Sequence, residues 1–147
     1  MNKTKLFDVC NKNRTIKYDF FSYTVLLNQV LAHAKKNTKD RLPSSDFSKF
    51  EIVTRELLNN ALEHGNHKNS KLVIQFSYQF LKNNQLKITV KDQGIGFDFS
   101  HLKLEAPINP KKIKNRGLYL VKSFSKKLKF NKEGNKAIAY IELEDNK

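Results

Sequence analysis

Arg55-Glu56-Leu57-Leu58-Asn59-Asn60-Ala61-Leu62-Glu63-His64-Gly65 is the stretch whose reading decides the fold. Its apolar residues recur at helical spacing, and with Phe50 and Val53 upstream they cover a broad arc that has to face a core. Glu56, Asn59, Asn60 and Glu63 fall on the remaining side, within an arc of about 100° at the usual turn per residue. Glu56 and Asn60, four residues apart, put a carboxylate and a carboxamide on one face, where the first can act as a base and the second as a metal ligand. Taken alone, the pair reads first as a solvent-facing polar stripe on an ordinary amphipathic helix.

Working outward, this helix is expected to begin near Ser45-Asp46, where Ser48 and Glu51 also have capping-box spacing, and to run to about His64 before Gly65-Asn66 stops it. Lys39 to Ser45, with Pro43, is a connecting loop. Before it, Tyr23, Leu26, Leu27, Val30, Leu31 and Ala34 recur at spacings of three and four, which predicts an amphipathic helix over Phe20 to Lys36. Lys3 to Asp19 alternates in short runs broken by Asn11-Lys12-Asn13 and reads as one or two strands.

Downstream, Leu72 to Leu81 and Gln85 to Lys91 alternate as two antiparallel strands joined by a turn at Lys82-Asn83-Asn84. Phe97 to Pro110 has two prolines and no clean period, which predicts a short helical turn and a mobile loop. After Gly117, the residues Leu118, Val121, Phe124 and Leu128 keep helical spacing. Phe130 starts another strand, Gly134-Asn135 turns, and Ala137 to Leu143 forms the last one. This order predicts an α/β (α+β) two-layer sandwich, a mixed, mainly antiparallel sheet with helices on one face.

Length is enough for a single domain over 1–147. The longest apolar runs are a few residues, and Met1-Asn2-Lys3-Thr4-Lys5 has no apolar region behind it, so neither a membrane span nor a signal peptide is expected. The one cysteine, Cys10, excludes an internal disulfide and reads as a small buried residue near a strand start.

The net charge of +14 suggests a polyanionic partner, but 24 of the basic residues are Lys and only Arg14, Arg41, Arg55 and Arg116 are Arg. Base-edge and bidentate phosphate recognition favour Arg, so nucleic acid is the weaker reading. Between Glu105 and Glu133 the chain has no acidic residue, while Lys111, Lys112, Lys114, Arg116, Lys122, Lys126, Lys127, Lys129 and Lys132 all fall there. That stretch should attract polyanions or an acidic protein face.

Two further segments give Glu56 and Asn60 a context. Val90-Lys91-Asp92-Gln93-Gly94-Ile95-Gly96-Phe97 ends a strand with two glycines, where backbone can approach a flat ligand and a carboxylate can accept from an exocyclic amine. Arg116-Gly117-Leu118 opens a helix whose free N–H groups and positive end suit phosphate, with Arg116 and Lys114 adding charge. It is neither a Walker A loop nor a Rossmann fingerprint.

In this order and at these separations, the three segments resemble the nucleotide-binding boxes of the GHKL ATPase/kinase superfamily, whose ATP-binding domain is the Bergerat fold. The resemblance runs from about Phe20 to Leu143. The phrase Glu56-Leu57-Leu58-Asn59-Asn60-Ala61-Leu62-Glu63-His64-Gly65 looks most like the anti-sigma-factor serine kinases. Those bind ATP with Mg²⁺, phosphorylate a serine on a STAS-type antagonist (an anti-anti-sigma protein), can sequester a sigma factor, and commonly form homodimers in the cytoplasm.

Carried over by position, the resemblance makes Glu56 the general base and Asn60 the Mg²⁺ ligand. Asp92 would receive the adenine amino group, with Gly94, Gly96 and Phe97 around the base. Arg116, Gly117 and Leu118 would lie against the phosphates, and His64 would pack beside the nucleotide or cap the helix end. The lid would occupy approximately 99–115, where this chain has prolines and lysines in place of a glycine-rich loop. It also has Gly134-Asn135-Lys136 where a Gly-Thr pair is common.

Sensor histidine kinases of the superfamily usually carry an amide at position 56 and work beside a phosphoacceptor helix domain, for which 147 residues leave little room. A carboxylate at 56 suits activation of a hydroxyl, which favours a serine kinase. The alternative is a non-catalytic ATP-binding module that docks an acidic protein through the face from Lys111 to Lys132.

Overall fold

The computed structural model describes residues 7–96 and 116–144. The chain runs β1 (Asp8–Lys12), β2 (Thr15–Phe21), α1 (Thr24–Thr38), α2 (Ser44–Asn60), a π-helical turn (Ala61–Gly65), β3 (Val73–Leu81), β4 (Gln85–Lys91), α3 (Arg116–Phe124), β5 (Lys127–Phe130) and β6 (Lys136–Glu142). The six described strands form one sheet in the order β1-β2-β3-β4-β6-β5. Every neighbouring pair is antiparallel, so the expected mainly antiparallel sheet has no parallel pairing among these strands.

Alternation assigns the two faces. Ile16, Tyr18 and Phe20 of β2, Ile74, Phe76 and Tyr78 of β3, Leu86, Ile88 and Val90 of β4, and Ala137, Ala139 and Ile141 of β6 are all buried. They meet Leu27, Val30, Phe50, Val53, Leu57, Leu58 and Val121 from the helices in one core. Within it Tyr18 stacks on Phe76 with centroids 5.3 Å apart and planes at 10°. Phe50 meets Tyr78 edge-on at 5.2 Å. The expected two-layer sandwich with helices on one face is thus the observed one.

Several boundaries move, each for a pairing reason. Phe20 and Phe21, read as helix, continue β2, because they pair with Ile74 and Val73. Lys127 and Leu128, read as the last turn of the helix after Gly117, belong to β5, because they pair with Tyr140 and Ala139. Helix α2 starts after Pro43 without a side-chain cap; Ser48 Oγ donates to the Ser44 carbonyl at 3.1 Å, and Glu51 is ion-paired with Lys35, so the capping box does not form. Cys10, expected to be buried, is exposed on edge strand β1, where Val9 on the other side of the pleat is the strand residue that packs toward the core. No described helix is long and apolar enough to cross a membrane.

Candidate functional site

Helix α2 does not end as a plain α-helix. Asn66 N–H donates to the Ala61 carbonyl five residues back, at 2.7 Å, which widens the last turn into a π-helix. Such turns recur at functional sites because they re-aim side chains without breaking the helix. Here the wider turn carries Gly65 over Asp92, so closely that a Cβ on Gly65 would lie 2.2 Å from Asp92 Oδ2. Position 65 therefore has to be glycine for the carboxylate to sit where it does.

Asp92 follows the end of β4 and is 7% exposed. Its Oδ1 accepts the Gly94 N–H at 2.8 Å, and its own N–H donates to the Asn135 carbonyl at 2.9 Å. Burial pushes its carboxyl above the ordinary carboxylate value, while the Gly94 N–H and the nearby His67 pull it partly back. A buried acceptor with a raised pKa at the floor of a cleft is the kind of group that binding sites use.

The loop after Asp92 is held from two sides. Gln93 N–H donates to Asn66 Oδ1 at 2.8 Å, and Gln93 Oε1 accepts from Val73 N–H at 2.7 Å. Asn66 is 1% exposed and donates through Nδ2 to Ser22 Oγ at 2.9 Å and to the Val73 carbonyl at 3.1 Å. On the other side, Asn131 Oδ1 accepts from the N–H groups of Gly134, Asn135 and Lys136 at 2.9, 3.0 and 3.1 Å. That turn supports Gly96, which takes φ +86° and lies against the Glu133 carbonyl.

Sequence reading missed Asn66 and Asn131 as site supports. Asn66 registered only as part of a helix stop. Its burial and its partners 44 residues upstream and 27 downstream could not be seen in a local pattern.

A shallow cleft open to solvent lies between the end of α2 and the sheet, lined among others by Leu57, Asn60, Asp92, Phe130, Asn135 and Ala137. Asn60 is half-buried and faces it; His64 is exposed on the π turn. Glu56 is half-buried one helical turn before Asn60. There α3 meets α2: a Cβ on Gly117 would stand 2.6 Å from Glu56 Oε2, so the start of α3 and the Glu56 carboxylate are in direct apposition.

Arg116, the first residue of α3, is exposed, whereas Leu118 is 2% exposed and belongs to the core. Leu118 can therefore offer a ligand its backbone N–H but not its side chain. Phe97, Lys111, Lys112, Lys114 and the expected lid at approximately 99–115 lie outside the described residues.

Along α2 come first Glu56, against the start of α3, and then Asn60, which lines the cleft together with the buried carboxylate of Asp92 from the end of β4. A carboxylate beside a helix start, a carboxamide and a buried carboxylate thus lie along the end of one helix layer of a two-layer sandwich. That is the layout of a nucleotide-binding ATPase domain of the GHKL type.

The model of the histidine kinase-like ATPase domain matches residues 23–141, and the chain belongs to that family. Among solved structures, the histidine kinase domain from Erythrobacter litoralis EL346 blue-light activated histidine kinase is similar at 23% identity and a TM-score of 0.47. The match covers 69% of this chain and 45% of that one, so this chain corresponds to under half of that protein's length. No curated protein matches the chain.

Proposed function

We propose that this chain is an ATP- and Mg²⁺-dependent protein serine kinase and anti-sigma-factor-like regulator. It would act in the cytoplasm on a serine of a STAS-type antagonist, and exchange that partner with a sigma factor. The observation that carries the reading is the apposition of Gly117 and Glu56, because a phosphate at the start of α3 would lie beside a carboxylate.

The residues fit the cofactors. Asp92 offers a buried acceptor for the adenine amino group, and Gly94 brings backbone next to it. No group of three His, Cys, Asp or Glu side chains that could hold a metal occurs among the described residues. Mg²⁺ suits such a site, since it retains water and phosphate oxygens and needs few protein ligands, here Asn60. Bound there, the metal would neutralise charge on the phosphates.

In the reaction, Glu56 accepts the proton of the substrate serine hydroxyl as that oxygen bonds to the γ-phosphorus. The bond from the γ-phosphorus to the bridging oxygen breaks and ADP leaves. Arg116 and the N–H groups at the start of α3 hold the transferred phosphoryl oxygens.

Transfer of labelled γ-phosphate to a serine of a STAS-type protein tests this reading. Glu56→Gln should keep ATP·Mg²⁺ affinity and lose transfer by roughly 10²-fold or more, the scale of a general base. Transfer at the wild-type rate by that variant would remove Glu56 from the mechanism.

The second reading is an ATP-binding module that docks an acidic protein without catalysis. It draws on the exposure of Lys122, Lys126, Lys127, Lys129 and Lys132. Nucleotide binding and partner capture by the wild-type protein, with no transfer to the captured partner, would select it.

A further inference from the structure

The core takes one face of the sheet, and none of the described helices covers the other. On that outer face the topology gathers lysines that are remote in sequence. Lys91 of β4 stands directly opposite Lys136 of β6, and Lys87 stands opposite Tyr140, which in turn faces Lys127 of β5. Lys129 faces Ile138 and extends toward the Tyr140 ring, with Nζ 6.0 Å from its centroid.

Five lysines therefore share a patch two strand spacings wide, about 10 Å, and four residues long, about 14 Å. The acid on this part of the face is Glu142 at its corner, 3.8 Å from Lys126. At the opposite edge the charges balance, with Asp8 opposite Asp19 and with Lys12 and Lys17 on the same side of the same two strands.

Two of these arrangements are unfavourable in the free protein. Like charges directly opposite on neighbouring strands destabilise a sheet, as Lys91 and Lys136 must. Lys127 and Lys129, two apart on an exposed edge strand, project on the same side. The Lys129 ammonium beside Lys127 lowers the proton affinity of Lys127 although it is fully exposed. An anion laid across the patch would relieve both pairs at once.

We propose that the outer face of β4, β6 and β5 is a docking surface for an acidic protein segment, with Lys87, Lys91, Lys127, Lys129 and Lys136 as its contacts. The face favours a protein over a nucleic acid. It has no arginine for base edges and a single aromatic ring, Tyr140, where a strand of bases needs several to stack on. Thr89 and Ser77 in the adjoining positions supply hydroxyls that suit carboxylates. The proposal is independent of the nucleotide reading, since the patch faces away from the core and the helices.

The test is titration of the full chain, labelled with ¹⁵N, with an oligoglutamate peptide and separately with a single-stranded oligonucleotide. The peptide should shift amides of β4, β6 and β5 saturably. Lys127→Gln combined with Lys129→Gln should weaken it roughly five- to ten-fold, the scale of two exposed ion pairs. The control Lys12→Gln with Lys17→Gln, which removes equal charge from the β1–β2 end, should leave it unchanged.

Absence of saturable shifts on these strands in the wild-type protein would overturn the proposal. So would equal weakening by the control, which would mark a diffuse charge effect. Tighter binding of the oligonucleotide than of the peptide on the same strands would overturn the choice of partner. The wild-type shifts decide the matter even if a variant folds poorly.

Discussion

Gly65 sits directly on the carboxylate of Asp92, with no room between them for a methyl group. This contact joins the end of the helix that carries Glu56 and Asn60 to the loop that carries Gly94 and Gly96. The two halves of the candidate site are therefore set relative to each other by one residue without a side chain.

Replacing Gly65 with Ala should force them apart. Overpacking of this kind costs about 1–3 kcal/mol, and the Asp92 loop is the part able to move. A lower urea midpoint together with a loss of ATP affinity of about ten-fold or more is expected; a titration and a denaturation curve on the same variant would check it. Wild-type affinity in Gly65→Ala would mean that the contact does not position Asp92.

The raised pKa of Asp92 has a defined consequence for stability. The native state holds this proton more tightly than the unfolded chain does, so between the ordinary value of 3.8 and the raised native value it binds more protons. Stability contributed by this group is thus largest at low pH and falls as pH rises through that window. Asp92→Asn should remove the decline, so its denaturation midpoint should gain on the wild type as pH rises from below 4 toward neutrality. It should also weaken the preference for adenine nucleotides, because the amide oxygen accepts from the amino group less strongly than a carboxylate and the amide's NH2 adds a competing donor. A pH series of unfolding curves on both proteins is the measurement, and parallel curves would contradict it.

Asn66→Ala removes the acceptor of the Gln93 N–H and a donor to Ser22 and Val73, all in a site that water does not reach freely. Leaving such groups unpaired should cost about 2–3 kcal/mol. Nucleotide affinity should fall with it, since the loop it releases begins at Asp92. Chemical denaturation followed by ATP titration under native conditions would test both parts, and unchanged stability would show that water replaces the amide.

Cys10 is exposed on an edge strand, and it is the one cysteine of the chain. A thiol reagent should label the folded protein with a stoichiometry of one, at a rate within roughly a factor of ten of that in denaturant. Strong protection in the native state would indicate that the β1 edge is covered in solution.

Much of the architecture was legible in the chain because it depends on local periods. The alternation over Gln85 to Lys91 marks β4 at its observed bounds, and the spacing of Leu26, Leu27, Val30, Leu31 and Ala34 marks the buried face of α1. Glu56 and Asn60 share a face for the same reason, since four residues is close to one turn. The boundaries that moved are those decided by a partner strand. Phe20 and Phe21 look helical beside Tyr23 until β3 arrives to pair with them, and Lys127 and Leu128 do so until β6 does.

The sequence by itself determined the order of elements, the polar face of α2 and the three segments that resemble a GHKL nucleotide site. These are properties of residues near one another in the chain, where side-chain direction follows from a period. Tertiary structure alone decided the π turn that seats Gly65 on Asp92, the burial of Asn66 between Ser22 and Gln93, the approach of α3 to Glu56, and the gathering of Lys87, Lys91, Lys127, Lys129 and Lys136 on one face. Each of these sets side by side residues far apart in sequence. Which distant residues meet depends on the packing of whole strands and helices, and no local pattern encodes it.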